Sequence, residues 1–275
     1  MFLRQVAASF HAQYTYVSRP FTTPASWAAN DGGENRDNFV AHSDTAAAKK
    51  KLRKEVVTAL AALSASEVTE QSAAVATRFV SVVSEMPPKS LVSIFLPIDG
   101  GKQPEVDTWP IVARLLEDGH RVAVPLVTGP RPTDMLMARV PSYEALRALP
   151  LDKWRIPTPP RSWLEGSAKN GDLASSGRAE SNRDLSEFAL VVLPCVAVSS
   201  DGRRLGHGRG YYDAFLSKVL EARKVKGLPP PLTVGLALEP QLRADVPMDA
   251  WDKRLDIIVA PSGVWFTAPR GNTTP

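Results

Sequence analysis

Hydrophobic residues recur with helical spacing in the segment KKKLRKEVVTALAAL. Leu52, Val56, Leu60 and Leu63 share one helical face, and basic residues occupy the other. This pattern predicts an amphipathic helix that begins near Lys49. The residues SASE that follow form a capping-box pattern, which predicts the start of a second helix, and the residues MPP end that helix.

Short apolar runs bounded by proline, glycine or polar residues come next and predict buried strands. These runs cover 90–97, 121–127, 135–140, 188–199, 232–238 and 255–261. Helical segments lie between several of them, over TWPIVARLLEDG and from about Tyr211 onward. The alternation favours an α/β fold of three layers, Rossmann-like and doubly wound, with a mostly parallel central sheet and helices on both faces. The run 188–199 is the most apolar and is predicted to be the central strand.

The composition divides the chain into one folded domain and less regular segments. We predict a single α/β domain over 46–265, preceded by an extension over 1–45 and followed by a tail over 266–275. Residues 158–186 are rich in serine, glycine, proline and charge, which predicts a flexible surface insertion within the domain. Residues 1–30 contain arginine, serine and threonine but no aspartate or glutamate, as mitochondrial transit segments do. A disordered extension of chance composition is the alternative, so we expect a mitochondrial or a cytoplasmic location.

Charge and cysteine content narrow the classes of partner. The formal net charge is +4 and the isoelectric point is about 9.2. This mild excess suits a small anionic ligand and is too weak to predict nucleic-acid binding without a clustered basic patch. No apolar run reaches the roughly 18 residues of a membrane-spanning helix, so we expect no membrane partner. Cys195, the one cysteine, lies in an apolar run and is predicted to be a buried small hydrophobe.

The segment RRLGHGRGYYDAFL (203–216) carries the strongest chemical signal. Gly206, Gly208 and Gly210 alternate with His207 and Arg209, between the predicted central strand and a helix. Glycines let backbone N–H groups form an anion-binding nest, and the following helix contributes its positive end. The arginines add donors for phosphate oxygens. The spacing is neither the Walker A pattern nor the dinucleotide fingerprint, and a solvated glycine turn is the alternative.

Two tyrosines and an acid follow this loop in the first turn of the predicted helix. An exposed pair, Tyr211 and Tyr212, suggests a stacking surface for a planar ligand. Asp213 beside a phosphate site suggests a magnesium ligand, because Mg²⁺ takes carboxylate and phosphate oxygens together. A favourable negative charge at a helix N-terminus is the alternative for Asp213.

The segment LGHGRGYYDAFL resembles the signature loop of the 5-formyltetrahydrofolate cyclo-ligase (5,10-methenyltetrahydrofolate synthetase) family. AKKKLRKEV, SIFLP followed by EVDT, WRIPTP, VGLALEPQL and VPMDAWDKRLDIIV resemble further family segments, in order, over about 48–260. The resemblance implies an enzyme that uses ATP and Mg²⁺ to convert 5-formyltetrahydrofolate into 5,10-methenyltetrahydrofolate, with release of ADP and phosphate through a phosphorylated formyl intermediate. It also implies a small-molecule substrate, with or without a polyglutamyl tail, and we expect a monomer.

The resemblance assigns roles to individual residues. Lys49 and Arg53, one helical turn apart, would reach the ATP phosphates; a solvated basic face is the alternative. The magnesium ligands would be Asp213 and Asp252. The nucleotide loop would comprise Arg204, Leu205, Gly206, His207, Gly208, Arg209, Gly210, Tyr211 and Tyr212. The segment from His207 to Tyr211, that is His207, Gly208, Arg209, Gly210 and Tyr211, would also approach the folate, together with Leu96, Glu105 and Trp154. The catalytic residues would be Arg209, Tyr211 and Asp213.

Some alternatives stay open at this level. An ordinary core tryptophan is the alternative for Trp154. His207 stands where the family usually has arginine, which would change phosphate affinity unless Arg203 or Arg209 substitutes. A catalytically inactive folate- or RNA-binding relative would need no magnesium ligands. A sugar-phosphate isomerase or acyl-transferase on a similar sheet would act without ATP, and a Tyr-Tyr-Asp sequence after the loop is not typical of those enzymes.

Overall fold

A computed structural model describes residues 36–84, 86–100, 103–164, 184–249 and 252–267. The predicted transit segment over 1–30 and most of the predicted insertion lie outside the described residues, and the domain boundaries stay predictions. Among the described helices, none combines the length and apolar character needed to cross a membrane.

A seven-stranded sheet forms the centre of the molecule. In chain order its strands are β1 (Leu91–Ser93), β2 (Arg121–Val127), β3 (Met135–Arg139), β4 (Phe188–Pro194), β7 (Leu232–Leu236), β8 (Ile257–Ala260) and β9 (Gly263–Phe266). The spatial order is β3-β2-β1-β4-β7-β8-β9. The five inner strands are parallel, whereas β3 and β9 are antiparallel strands at the two edges. The predicted mostly parallel sheet is therefore confirmed, and residues 188–194 of the predicted strand 188–199 lie at its centre. Strand β9 was not predicted.

The predicted strand 188–199 divides into two. After β4 ends at Pro194, residues Ala197–Val198 form β5, which leaves the main sheet and pairs with β6 (Arg204–Leu205) as a small antiparallel hairpin. This hairpin leads directly into the glycine-rich loop. The loop therefore starts at the carboxyl end of the central strand.

Five α-helices accompany the sheet in the described ranges. They are α1 (Arg36–Ala61), α2 (Ala65–Val83), α3 (Trp109–Glu117), α4 (Tyr143–Arg147) and α5 (Tyr211–Val225). The capping box is confirmed: the Ser64 hydroxyl accepts from the Glu67 N–H, and the Glu67 carboxylate accepts from the Ser64 N–H. Helix α1 begins at Arg36, upstream of the predicted start near Lys49, so it includes part of the segment that we predicted to be an extension.

Helices cover both faces of the sheet, as predicted. On one face, Leu190 and Val192 of β4 belong to a core that includes Val56 of α1, Phe79 of α2 and Ile111 of α3. On the other face, the intervening Val191 and Leu193 belong to a core that includes Phe215, Leu216 and Val219 of α5. Successive side chains of a strand point to opposite faces, so the continuous apolar run of β4 is buried on both sides.

Candidate functional site

The glycine-rich loop lies at the carboxyl edge of the parallel sheet, between the β5–β6 hairpin and α5. Gly208 has a φ of +87° and Gly210, which precedes the first residue of α5, has a φ of +72°. Both values lie in the left-handed region, where a side chain would be strained. The glycines therefore let the chain turn sharply and direct the loop to the N-terminus of α5, the usual place for an anion in such a sheet.

A cavity of about 350 Å³ opens beside this loop. Its walls come from α1, the loop, the first turn of α5 and the segment before β8. The lining residues are Ala46, Lys49, Arg53, Arg204, Leu205, Gly206, Gly208, Gly210, Asp213, Asp249, Asp252 and Lys253. The fold thus brings together both predicted phosphate-binding residues of α1, much of the predicted nucleotide loop and both predicted magnesium ligands.

Arg53 joins helix α1 to the loop. Its Nε donates a hydrogen bond of 2.9 Å to the carbonyl oxygen of Gly206. A Cβ added at Gly208 would lie 3.3 Å from the Arg53 guanidinium, so the bare backbone is what lets the arginine approach. Arg53 therefore orders the loop and lines the cavity at the same time.

Lys49 lies between two carboxylates. Its Nζ is 2.5 Å from Oδ2 of Asp249 and 2.5 Å from Oδ2 of Asp252. Burial favours the neutral amine and lowers the pKa of Lys49, but the hydrogen bonds and negative charges of the two aspartates outweigh it and raise the pKa above its ordinary value. Lys49 is therefore a charged ammonium group in the cavity wall, and the two aspartates fix its position.

Arg204 pairs with the other predicted magnesium ligand. Its Nη2 is 2.7 Å from Oδ1 of Asp213, and its Nη1 donates to the Pro194 carbonyl over 3.2 Å. The Arg204 side chain is only 8% exposed, whereas that of Asp213 is 60% exposed and faces the cavity. Each predicted magnesium carboxylate thus holds one predicted phosphate-binding cation.

The residues predicted to contact folate differ in their exposure and in their contacts. Glu105, in the loop between β1 and α3, has its Oε1 3.8 Å from Nε2 of His207. Leu96 is 3% exposed and packs within the core, so it offers almost no surface in this conformation. Trp154 is 55% exposed, which excludes the core-tryptophan alternative, and its ring lies under the Lys153 ammonium.

The prediction of two exposed tyrosine rings is wrong. Both side chains are half-buried. The Tyr211 hydroxyl donates to the Gly129 carbonyl over 2.9 Å, and its ring packs against the core beneath α5. Tyr212 packs against both cores, and its buried hydroxyl has no hydrogen-bond partner among the described residues. Burial, with a smaller contribution from Glu105, raises the pKa of Tyr212 above its ordinary value.

Arg203, Arg209 and Cys195 lie in three different environments. Arg203 pairs with Asp201 and Asp245, which directs it away from the cavity. Arg209 is exposed and makes no hydrogen bond or ion pair within the described part of the chain. Cys195 is buried, as predicted, and burial raises the pKa of its thiol to about 12, so it is an unreactive core residue.

Sequence reasoning missed three residues of the cavity wall: Ala46, Asp249 and Lys253. Their closeness in the chain to Lys49 and Asp252 is the signal that could have identified them. Among the described residues, no group of three or more His, Cys, Asp or Glu side chains is placed to hold a metal. Asp213 and Asp252 nevertheless suit Mg²⁺, which usually binds one or two carboxylates together with phosphate oxygens and water.

Comparisons with known proteins match most of the chain to one family. A sequence model of the 5-formyltetrahydrofolate cyclo-ligase family matches residues 45–261. The 5-formyltetrahydrofolate cyclo-ligase of Mus musculus is 31% identical over 212 residues, which cover 77% of this chain and 93% of the mouse protein. The mitochondrial 5-formyltetrahydrofolate cyclo-ligase of Arabidopsis thaliana is 43% identical over 83 residues, 30% of each chain. The NMR structure of Aquifex aeolicus 5,10-methenyltetrahydrofolate synthetase superposes with a TM-score of 0.56 at 25% identity, over 82% of this chain and 96% of that one.

Proposed function

The chain belongs to the 5-formyltetrahydrofolate cyclo-ligase family, and from this we propose that it converts 5-formyltetrahydrofolate into 5,10-methenyltetrahydrofolate at the expense of ATP. The observation that carries the proposal is the cavity in which basic side chains of α1 and β6, the glycine loop and three carboxylates converge. Such a wall fits the charges of a nucleotide triphosphate and its metal ion.

The proposed chemistry proceeds without a covalent enzyme intermediate. The formyl oxygen attacks the γ-phosphorus of ATP, and the bond between that phosphorus and the β-phosphate oxygen breaks to release ADP. The phosphorylated formyl carbon is then attacked by nitrogen-10, which loses its proton. The carbon–oxygen bond breaks, phosphate departs and the ring is closed. The protein's tasks are to position the reactants and to balance charge, as in other phosphoryl transfers.

We assign the nucleotide to the cavity wall. Lys49, Arg53 and Arg204 would donate to phosphate oxygens, and the backbone N–H groups of 206–210 would complete the nest. Arg53 already anchors the loop through the Gly206 carbonyl, so the loop needs little reorganisation on binding. Mg²⁺, held by Asp213 and Asp252, would neutralise charge on the phosphate oxygens.

We assign the folate to the side of the loop that faces Glu105. A carboxylate can accept two hydrogen bonds from the amide-like edge of a pterin, and its 18% exposure leaves it accessible. His207 and Arg209 lie on exposed parts of the loop, where they can reach the junction of the two ligands. Tyr211 and Tyr212 would support the loop from below, and Trp154 would form an outer wall. Leu96, which is almost fully buried, would contact the pterin only after a local movement that exposes it.

The test is an absorbance assay for methenyltetrahydrofolate with the purified full chain. We expect product only when 5-formyltetrahydrofolate, ATP and Mg²⁺ are all present, with one ADP formed for each ring closed. Product without ATP would contradict the proposal, and binding of folate with no product under any condition would favour the inactive folate-binding alternative.

Arg209→Ala tests the charge balance of the loop. Because Arg209 is exposed and has no protein partner in the described residues, its removal should leave the fold unchanged. We expect ATP binding to weaken by about 1.5–3 kcal/mol, the range for a hydrogen bond to a charged group. Calorimetric titration of the variant checks this. Arg114→Ala is the control, because it removes the same charge from the last turn of α3, outside the cavity wall. Equal losses of affinity in both variants would contradict the assignment.

We also propose that the chain is imported into mitochondria. The acid-free segment 1–30 and the mitochondrial relative from Arabidopsis support mitochondrial import. Fusion of residues 1–45 to a fluorescent reporter tests it, since a reporter that stays in the cytoplasm would favour the cytoplasmic alternative. A monomer and a polyglutamylated substrate also stay predictions.

A further inference from the structure

Asp249 and Asp252 hold the Lys49 ammonium between their carboxylates, and we call this pair of aspartates the bracket. The Asp249 N–H donates to Oδ2 of Asp252 over 2.8 Å, and the Asp252 N–H donates back to the Asp249 carbonyl over 3.1 Å. Both carboxylates face the same ammonium, and the three side chains are 12%, 13% and 21% exposed for Lys49, Asp249 and Asp252. The hydrogen bonds between the two aspartates therefore hold both carboxylates beside the ammonium.

The proposed function assigns a role to only one of these two carboxylates. Asp252 would bind Mg²⁺, and the oxygen that accepts from Lys49 would then turn wholly or partly to the metal. Lys49 would donate to phosphate at the same moment. Asp249 has no duty in that scheme, although it lies as close to the ammonium as Asp252 does.

We propose that Asp249 is a positioning residue for Lys49, an inference that rests on the proposed function of the site. An ammonium group has three donors, and in this structure the two aspartates accept two of them. When Asp252 turns to the metal, Asp249 keeps one donor engaged, and the other two point into the cavity toward phosphate. The flexible lysine side chain is thereby held in one orientation, which avoids the loss of rotamer freedom on nucleotide binding.

The positioning role and simple electrostatics predict opposite changes in nucleotide affinity when Asp249 is removed. Asp249 is a negative charge in the wall of an anion site, so its removal should tighten nucleotide binding if charge alone matters. If Asp249 acts through Lys49, its removal should weaken binding, and only while Lys49 is present. The dependence on Lys49 is what a general structural role of Asp249 would not produce.

The experiment is a double-mutant cycle with the full chain. Binding of the non-hydrolysable analogue AMP-PNP is measured by calorimetry, with and without Mg²⁺, for the wild type, Asp249→Asn, Lys49→Met and the double variant. We expect Asp249→Asn to weaken Mg²⁺–AMP-PNP binding roughly 3- to 30-fold in the presence of Lys49, a typical range for coupled neighbours. In the Lys49→Met background the same change should have no effect or tighten binding. Asp249→Glu should recover part of the loss.

Asp245→Asn is the matched control, because Asp245 is exposed, pairs with Arg203 and lies outside the cavity wall. It should change affinity less than about twofold. Tighter binding or no change in Asp249→Asn, or equal weakening in both Lys49 backgrounds, would overturn the positioning role. If the wild type itself fails to bind AMP-PNP with Mg²⁺, the nucleotide site of the proposed function is overturned, and the inference with it.

Circular dichroism confirms the fold of each variant, and Asp249→Ser replaces Asp249→Asn if that variant does not fold.

Discussion

We expect Asp213→Asn to reduce turnover by at least about 10²- to 10³-fold, the loss seen when one charged or dipolar group is withdrawn from a transition state. The substitution removes the negative charge from a predicted magnesium ligand and keeps its shape. Asp213 lies in the first turn of α5, 60% exposed and directed into the cavity, so its carboxylate is available to a metal. Initial rates at saturating ATP and 5-formyltetrahydrofolate, measured over a range of Mg²⁺ concentrations, check the prediction.

The same substitution should leave the protein folded. The amide oxygen of asparagine can still accept from Nη2 of Arg204, and Arg204 also keeps its hydrogen bond to the Pro194 carbonyl. Because Asp213 is largely exposed, the ion pair that is lost contributes less than about 1 kcal/mol to the free energy of unfolding. Thermal unfolding followed by circular dichroism should therefore show nearly the wild-type melting temperature.

A control separates the metal role from the loss of an ion pair. Asp118→Asn breaks a comparable surface pair with Arg114 at the end of α3, and we expect it to retain full activity. If Asp213 binds the metal, higher Mg²⁺ concentrations should restore part of the lost rate in Asp213→Asn. Full activity of that variant at ordinary Mg²⁺ would remove Asp213 from the mechanism.

The fold was predictable where one local pattern decides the structure. The alternation of helices and apolar runs predicted the α/β class, and the position of β4 followed from an apolar run that is buried on both faces. The division of 188–199 was not predictable, because Cys195 and Val196 between β4 and β5 are as buried as the strands themselves. The hydrophobic pattern of a sequence indicates which residues are buried. It does not indicate that the backbone changes its hydrogen-bond partners between β4 and β5. Strand β9 was missed because its side chains at the edge of the sheet are only partly buried.

The site shows the same division between local and distant information. The glycine loop and its basic residues are contiguous, so the motif was visible. The bracket around Lys49 joins residues about 200 positions apart, and only the tertiary structure brings them together. The half-buried position of Tyr212 could have been predicted, since Tyr212, Phe215, Leu216 and Val219 form one helical stripe facing the sheet. We instead interpreted the tyrosine pair beside the anion loop as a stacking surface for a ligand.

The second large effect is expected at Gly202, which joins the turn before the glycine loop to the segment that follows Asp252. It sits in the turn between β5 and β6, upstream of Arg204. Its carbonyl accepts a 2.8 Å hydrogen bond from the N–H of Leu255, which follows Asp252 in the chain. Gly202 is buried and has a φ of +87°. The turn that leads to the glycine loop and the segment that carries Asp252 are thus packed backbone against backbone at this residue.

We expect Gly202→Ala to lower the free energy of unfolding by about 2–5 kcal/mol. A left-handed conformation costs an alanine about 1–2 kcal/mol. The added Cβ would also lie within 3 Å of the Leu255 carbonyl oxygen and of Cγ2 of Thr267, and overpacking of this kind costs about 1–3 kcal/mol more. The melting temperature should fall by roughly 5–15 °C. The specific activity of the protein that remains folded should also fall, because the clash is relieved by moving the Asp252 segment away from the loop.

Gly119→Ala isolates the packing contribution. Gly119 has a φ of +77°, close to that of Gly202, but an added Cβ would meet nothing within 4 Å. We expect this control to lose only the conformational cost, about 1–2 kcal/mol, and to keep wild-type activity. Equal losses of stability in the two variants would show that the contact between Gly202 and Leu255 does not hold the two segments together. A Gly202→Ala protein with lowered stability and unchanged activity would show that the position of Asp252 does not depend on that contact.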